Sequence, residues 1–453
     1  MKSIKQDNDP DKLDFKRVLP IFAIVLVDLL GLSIIIPLLP LYAASYGANA
    51  LVIGIISGVY PTMQFVSAPI LGHLSDRFGR KPVLIASQIG TFIGFMLMGF
   101  AASLPILLLA RAIDGLSGGN ISTAQAVLTD STTEKNRTQA LGLIGAAFGI
   151  GFTIGPVLAL LSLSFSGNNY HVVAFVAAGF SLLSILLTVF ILPESLPVEK
   201  RGKGDRPRPS FSATVAALGR PQIGFLLVLM FAQQFIFGGL EYLLPLFTLN
   251  RLGMSAGTNA ILFVFIGILS VIVLGGLIRQ WSAKHGDRWI ILLGLGTLGA
   301  GMILTATTPR QPAPTYSRQV LLEELSQHNA VTALDEQKLK VDVPGDTDKG
   351  WLGWAWIFIA IIPVSIGGSV LSPTINSSLT KRANAAEIGN ILGTSTSMSS
   401  AANALTPIIG GAIFYWLGST IPFLVTGLLA LVLLGVAARN IAVPSEPGQK
   451  SKV

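Results

Sequence analysis

The chain has 453 residues, of which 51% are hydrophobic and only 12% charged, with a net charge of +8 and no cysteine; its mean hydropathy is +0.67. Soluble domains carry about a quarter charged residues, so an ordinary water-soluble fold is excluded. The absence of cysteine excludes disulfides and thiolate metal sites.

Runs of about 20 apolar residues, each able to cross about 30 Å of hydrocarbon as a helix, recur from Leu19 to Ala438. They are too long for the strands of a membrane barrel, and lipid permits no other backbone but helix. The fold class expected is therefore an all-α membrane protein. A tail over 1–16 leads into spans at 17–43, 52–74, 83–103, 105–129, 138–162 and 172–192, which form an N-terminal half over 17–192. A Pro-rich, basic linker over 193–221 follows, holding Lys200, Arg201, Lys203, Arg206 and Arg208. Spans at 222–250, 257–281, 288–308, 353–377, 387–415 and 420–439 form a C-terminal half over 222–440, with a tail over 441–453. The loop over 309–352 is long; within Arg318 to Lys338 its spacing of Val320, Leu321, Leu325 and Leu334 predicts a short amphipathic helix, a lid or an ornament. Trp351, Trp354 and Trp356 follow at the expected depth of an aromatic belt.

With twelve spans both termini share one side. That side holds 24 of the 31 Lys and Arg residues, so the positive-inside rule places both ends in the cytoplasm, and a cell (inner) membrane is expected. The charge is spread over loops rather than gathered on one surface, so no nucleic-acid partner is expected. The Asn-x-Ser/Thr triplets at Asn120, Asn136 and Asn376 fall in spans or a cytoplasmic loop, where glycosylation is not expected. The four His are scattered and no phosphate-cradling Gly-Lys motif occurs, so neither cofactor, metal nor catalysis is expected.

The halves read as repeats. Pro40-Leu41-Tyr42 can be laid over Pro245-Leu246-Phe247, and Gly142 through Pro156 over Gly393 through Pro407 without a gap. Six helices repeated about a basic linker is a transporter architecture, with substrate midway between the halves. Between spans two and three, Gly72, Asp76, Arg77, Gly79, Arg80 and Lys81 crowd four charges into a short turn. A weaker echo, Gly276-Leu277 and Lys284-His285-Gly286-Asp287-Arg288, lies around the end of span eight.

The first of these motifs resembles the signature of the major facilitator superfamily. Gly151, Gly155 and Pro156 of span five resemble the Gly-x-x-x-Gly-Pro signature of its antiporters, although Val157-Leu158-Ala159 stands where further glycines usually follow. Together they resemble the twelve-span drug:proton antiporters, including tetracycline-type exporters. That resemblance implies a latch in which Asp76, Arg80 and Asp130 hold the outward-facing state, Asp76 reaching the start of span eleven. It also implies a proton-transfer role for Arg111, with Asp114 replacing a residue usually uncharged. Close packing is expected at Gly72 and Gly79, and a bend of span five against its partner in the other half at Gly151, Gly155 and Pro156.

Charges inside a membrane are costly and mark cavities or pairs. Asp28, Arg111, Asp114 and Glu241 are such charges and are the proton-coupling candidates. Arg111 and Asp114, three apart, share a helix face. Asp28 lies at a similar depth on span one. Gln64, Asn120, Gln125, Gln233, Gln234, Asn376 and Asn403 are candidates to line a substrate path, or to bond helices together. The function expected is secondary active transport by alternating access, with proton-coupled export of hydrophobic or cationic small molecules by a monomer. A facilitator or importer of sugars or metabolites, and a non-transporting receptor or scaffold on the same fold, remain alternatives.

Overall fold

The computed structural model describes residues 15–202, 216–326, 340–384 and 387–441. The expectations for the tails before 15 and after 441, for Lys203, Arg206 and Arg208, and for Leu334 and Lys338 lie outside the described residues. Fifteen α-helices follow one another: α1 (Phe15–Ile35), α2 (Leu39–Ser45), α3 (Ala50–Phe78), α4 (Arg80–Gly99), α5 (Leu104–Ser117), α6 (Asn120–Asp130), α7 (Glu134–Ser166), α8 (Tyr170–Ile191), α9 (Pro221–Leu252), α10 (Ala256–Ile272), α11 (Ile278–Ala306), α12 (Arg318–Ser326), α13 (Leu352–Arg382), α14 (Ile388–Leu417) and α15 (Ile421–Asn440). Among the described residues no strand occurs.

Helix boundaries follow local chemistry. Asn49, Asn169 and Ser255 accept backbone N–H groups at the starts of α3, α8 and α10. Gly167 and Gly253 end α7 and α9 in the left-handed conformation. Proline enters the first turns of α2, α5, α9 and α15, where no N–H is required.

Among the described residues, ten helical segments are individually long and apolar enough to span a bilayer. Two expected spans fall outside that criterion for different reasons. The span expected at 105–129 is broken at Gly118-Gly119 into α5 and α6. A Cβ at Gly118 would strike the Tyr60 hydroxyl, and one at Gly119 would lie 2.8 Å from Leu71 and 2.9 Å from Ala68, so the break admits α3 at close range. Backbone exposed by a break must be satisfied inside a membrane protein. Gln64 Nε2 donates to Gly118 O at 2.7 Å, Ser67 Oγ to Gly115 O at 3.2 Å, and Ser122 Oγ to Gly119 O at 2.6 Å. The other segment, α14, is continuous but rich in Ser and Thr between Thr394 and Ser400, which lowers its apolarity. Thr394, Thr396, Ser397 and Ser399 donate to carbonyls four residues back.

Span one also differs from expectation. It stops at Ile35 and resumes as α2, with Pro37 in the turn between and Pro40 in the first turn of α2. The boundary between spans eight and nine is no loop: α10 passes through a π-helical turn at 273–277 into α11, and the chain bends only at Gly286, whose φ is +77°.

Contacts recur between the halves. In the first, α1 packs on α7, and α4 on α5 and α8; in the second, α9 packs on α14, and α11 on α13 and α15. Two seams join the halves, α3 with α14 and α7 with α10. These four helices meet toward the end of the bundle opposite the termini, here the distal end. A Cβ at Gly54 near the start of α3 would strike the Pro407 carbonyl of α14 and lie 2.9 Å from the Gly411 Cα. Toward the basal end, Gly142, Gly145 and Gly149 of α7, Gly275 and Gly276 after α10, and Gly389 and Gly393 of α14 have nothing within 4 Å of a built Cβ. The seams are tight distally and parted basally. Gly54→Val places a side chain against backbone, where overpacking costs about 1–3 kcal/mol. The variant is expected to lose this distally closed state, read as a longer distance between spin labels on the distal turns. An unchanged distance would show that the seam yields without opening.

Candidate functional site

The basal clamp is built around one buried arginine. The α3 helix ends at Phe78, Gly79 turns the chain with φ +106°, and Arg80 begins α4. Arg80 is 1% exposed. Its guanidinium donates to Asp76 Oδ1 at 2.6 Å, Asp130 Oδ2 at 2.9 Å and Ser75 Oγ at 2.6 Å, tying α3, α4 and the end of α6 together. Lys81 Nζ donates to the Val189 carbonyl near the end of α8 at 2.7 Å, a position where the helix dipole favours a cation. Arg77 is exposed and lies over the Phe78 ring at 5.3 Å.

The beginning of the linker closes this clamp, which the sequence did not reveal. Glu194 accepts the backbone N–H of Arg80 at 2.9 Å and of Lys81 at 3.2 Å, capping α4 with a carboxylate. The Gly202 N–H donates to the Asp76 carbonyl at 3.0 Å. A Cβ on Gly79 would lie 2.6 Å from Glu194 Oε2 and 3.0 Å from the Arg201 guanidinium, so Gly79 is required both for its φ and for space. Gly72 differs from expectation: nothing lies within 4 Å of a Cβ built there.

Asp76, Arg80 and Asp130 come together as expected, but they do so while the seams are parted at this same end. These pairs lie within the N-terminal half and do not by themselves hold the opposite state; they bind three helices into one body.

The echo after span eight is a copy with reversed charge. Gly286 turns the chain as Gly79 does. The residue after it, Asp287, accepts from Lys381 Nζ at 2.7 Å, Ser377 Oγ at 3.0 Å and Ser378 Oγ at 3.3 Å near the end of α13. In the first half the cation follows the glycine and the acid ends the fourth span; in the second the acid follows and the cation sits near the end of the tenth.

Midway along the N-terminal half, the membrane charges gather as expected. Arg111 Nη1 and Asp114 Oδ2 are 2.7 Å apart, with Asp114 1% exposed. The Arg111 guanidinium lies over the Tyr60 ring at 4.5 Å, a cation–π contact from α3. Asp28 Oδ2 accepts from Asn120 Nδ2 at 2.6 Å. Asn120 opens α6 directly after the glycine break, so the break delivers the amide to the carboxylate. Asp28 Oδ1 and Arg111 Nε are buried without a hydrogen-bond partner. The Tyr60 hydroxyl accepts from Gln64 Nε2 at 3.2 Å.

Glu241 lies in the opposite half on α9, and among the described residues no hydrogen bond or ion pair engages it. Its neighbour Tyr242 is half-buried on the same helix. Neither Tyr60 nor Tyr242 was singled out from sequence, because a lone tyrosine in a span carries no pattern.

The polar candidates divide by use. Gln64 fastens the glycine break and Asn120 holds Asp28. Gln233 Nε2 donates to Gln234 Oε1 and Gln234 Nε2 to Asn403 Oδ1, both at 2.9 Å, joining α9 to α14. Asn376 accepts from Ser395 at 2.8 Å, joining α13 to α14. Gln125 is half-buried on α6. The antiporter-type motif differs from expectation: a Cβ at Gly151 would lie 3.2 Å from Leu29, and one at Gly155 would strike Ser33, both on α1 of the same half. Ser33 Oγ donates to the Gly151 carbonyl at 2.9 Å. The glycines therefore fit α7 to the helix that carries Asp28. It is Thr153 that meets the other half, 2.8 Å from a Cβ built at Gly267 of α10.

Helices paired across two seams, buried charges midway and a glycine-turned clamp define a membrane transporter. The profile described as Major Facilitator Superfamily matches residues 21–321, and the chain belongs to that superfamily. It is 26% identical to the class H tetracycline resistance protein of Pasteurella multocida, over 89% of this chain and 91% of that protein. It is 32% identical to the class E tetracycline resistance protein of Escherichia coli, over 64% of this chain and 72% of that one. The fold also matches the crystal structure of the human organic anion transporter MFSD10 with a TM-score of 0.58, at 21% identity, over 93% of this chain and 99% of that one.

Proposed function

We propose that this protein is a proton-coupled exporter of hydrophobic or cationic small molecules. It works by alternating access between two six-helix halves over 17–192 and 222–440. The observation that carries this reading is the set of half-buried Asp28 held by Asn120, the buried pair Arg111 and Asp114, and half-buried, unengaged Glu241, in a bundle tight at one end and parted at the other. Three carboxylates against one guanidinium favour a cationic or proton-exchanging occupant. The tetracycline resistance relatives support export of a drug-like molecule. Both termini lie in the cytoplasm on this reading, so the basal opening faces inward and this state loads substrate. Asp28 and Asp114 exchange protons with substrate, and no covalent chemistry is performed.

A second reading is carriage of organic anions, favoured by Arg111 Nε standing buried without a partner, and by the likeness to MFSD10. One experiment separates the readings. Proteoliposomes are given an imposed pH gradient and tested with tetracycline, tetraphenylphosphonium and an aromatic carboxylate. The export reading expects gradient-driven movement of the first two, collapsed by a protonophore. Asp28→Asn, which keeps an acceptor for Asn120, is expected to weaken gradient dependence while leaving the fold intact, and Asp28→Asn with Asp114→Asn to abolish it. Movement that ignores the gradient in wild type and variant alike sinks proton coupling; movement of the carboxylate alone favours the anion reading.

A further inference from the structure

The long distal segment between α11 and α13 is built as a stem and an arm. The stem is fixed to the C-terminal half. Arg251 of α9 donates to the Thr308 carbonyl at 2.7 Å, and Asn250 Nδ2 to the Asp342 carbonyl at 2.9 Å. The Tyr316 ring occupies the space a Cβ on Gly253 would need, and its hydroxyl donates to the Pro344 carbonyl at 2.7 Å. Lys349 Nζ closes the stem on the Tyr316 carbonyl and Asp346.

The arm is α12, and it crosses to the N-terminal half. It packs against α2, with Leu321 and Leu325 buried in the main apolar core. Between those leucines stands Glu324, 8% exposed. Its Oε1 accepts from the Tyr170 hydroxyl and its Oε2 from Asn168 Nδ2, each at 3.2 Å. Asn168, with φ +63°, sits in the turn between α7 and α8. Burial pushes the Glu324 carboxyl upward from its usual range, while the Tyr170 hydroxyl and the Ala256 amide at the start of α10 draw it back. The carboxylate thus takes both its side-chain partners from the turn between α7 and α8 and the first residue of α8, in the N-terminal half.

A buried carboxylate is an expensive choice for a loop that merely rests on a surface. Alternating access requires the distal end to open, and α12 touches both halves there. The stem has many bonds to the C-terminal half, whereas the arm holds the N-terminal half through its packing on α2 and one carboxylate. The arm is what must let go.

We propose that α12 is a distal gate, docked in the closed state by Glu324 on Tyr170 and Asn168 and released when that end opens. The proposal rests on the alternating access read above, but on neither the substrate nor the proton. Because the chain has no cysteine, Ala102→Cys and Ser419→Cys put unique spin labels on distal turns of the two halves, and pulsed dipolar spectroscopy reads their distance. Glu324→Ala is expected to raise the ratio of long to short distances about tenfold, the worth of a lost bond to a buried charge. Tyr170→Phe, which keeps Glu324 and nearly all volume, should move it the same way by less, and decides the matter where Glu324→Ala does not fold. Distributions matching wild type in the folded variants overturn the gate. A gate shift without gradient-driven export would sink the export reading alone, and export with unmoved distances would sink the gate alone.

Discussion

Arg80→Ala is expected to destabilise the protein by about 3–5 kcal/mol, the usual consequence of removing one partner from a buried charge network. The guanidinium is nearly inaccessible and holds two carboxylates and a hydroxyl drawn from two helices beyond its own. Truncation takes from Asp130, whose side chain is 14% exposed, a cation at 2.9 Å, whereas Asp76 at 33% recovers part of its hydration. Asp130→Asn keeps an acceptor and should cost less, about 1–2 kcal/mol for a weakened charged bond. Chemical unfolding of the detergent-solubilised protein checks both. Wild-type stability in Arg80→Ala would mean that the clamp is ornamental in this state.

Arg111→Ala is expected to be equally damaging, since it strands Asp114 in a site nearly closed to water, at about 3–5 kcal/mol. The double variant Arg111→Met with Asp114→Leu separates structure from function. Replacing a buried pair by apolar residues of similar size is often neutral or stabilising, so stability should return. Transport should not return, because on the proposed reading Asp114 exchanges a proton. A stable double variant that still transports along a pH gradient would reduce the pair to self-neutralising structure.

Much of this was legible in the sequence, and the limits have physical causes. Apolar runs located the helices because backbone in lipid must be internally bonded, and Arg80 found Asp130 because a family motif named both positions. The Gly118-Gly119 break was not legible: in a membrane helix such a pair more often marks close packing, and here it breaks only because Gln64, Ser67 and Ser122 satisfy the carbonyls. Nor was Glu194, since an acid just past a helix end reads as linker until its carboxylate is seen on the α4 amides. Gly151 and Gly155 were recognised as a packing motif but assigned to the wrong partner. Spacing says that a face is smooth, and only three-dimensional structure says that α1 lies against it. Reversed polarity at Asp287 and Lys381 hid the second clamp, because a motif read by residue identity overlooks a pair whose signs are exchanged.

On the proposed reading, competition between substrate and protons for Asp28 and Asp114 drives export. It is tested most directly by adding tetracycline to lightly buffered, detergent-solubilised protein and following pH. Protons are expected to be released on binding, less so in Asp28→Asn and not at all when Asp114→Asn is added. Saturable tetracycline binding with no proton release, or release undiminished in the double variant, would contradict it.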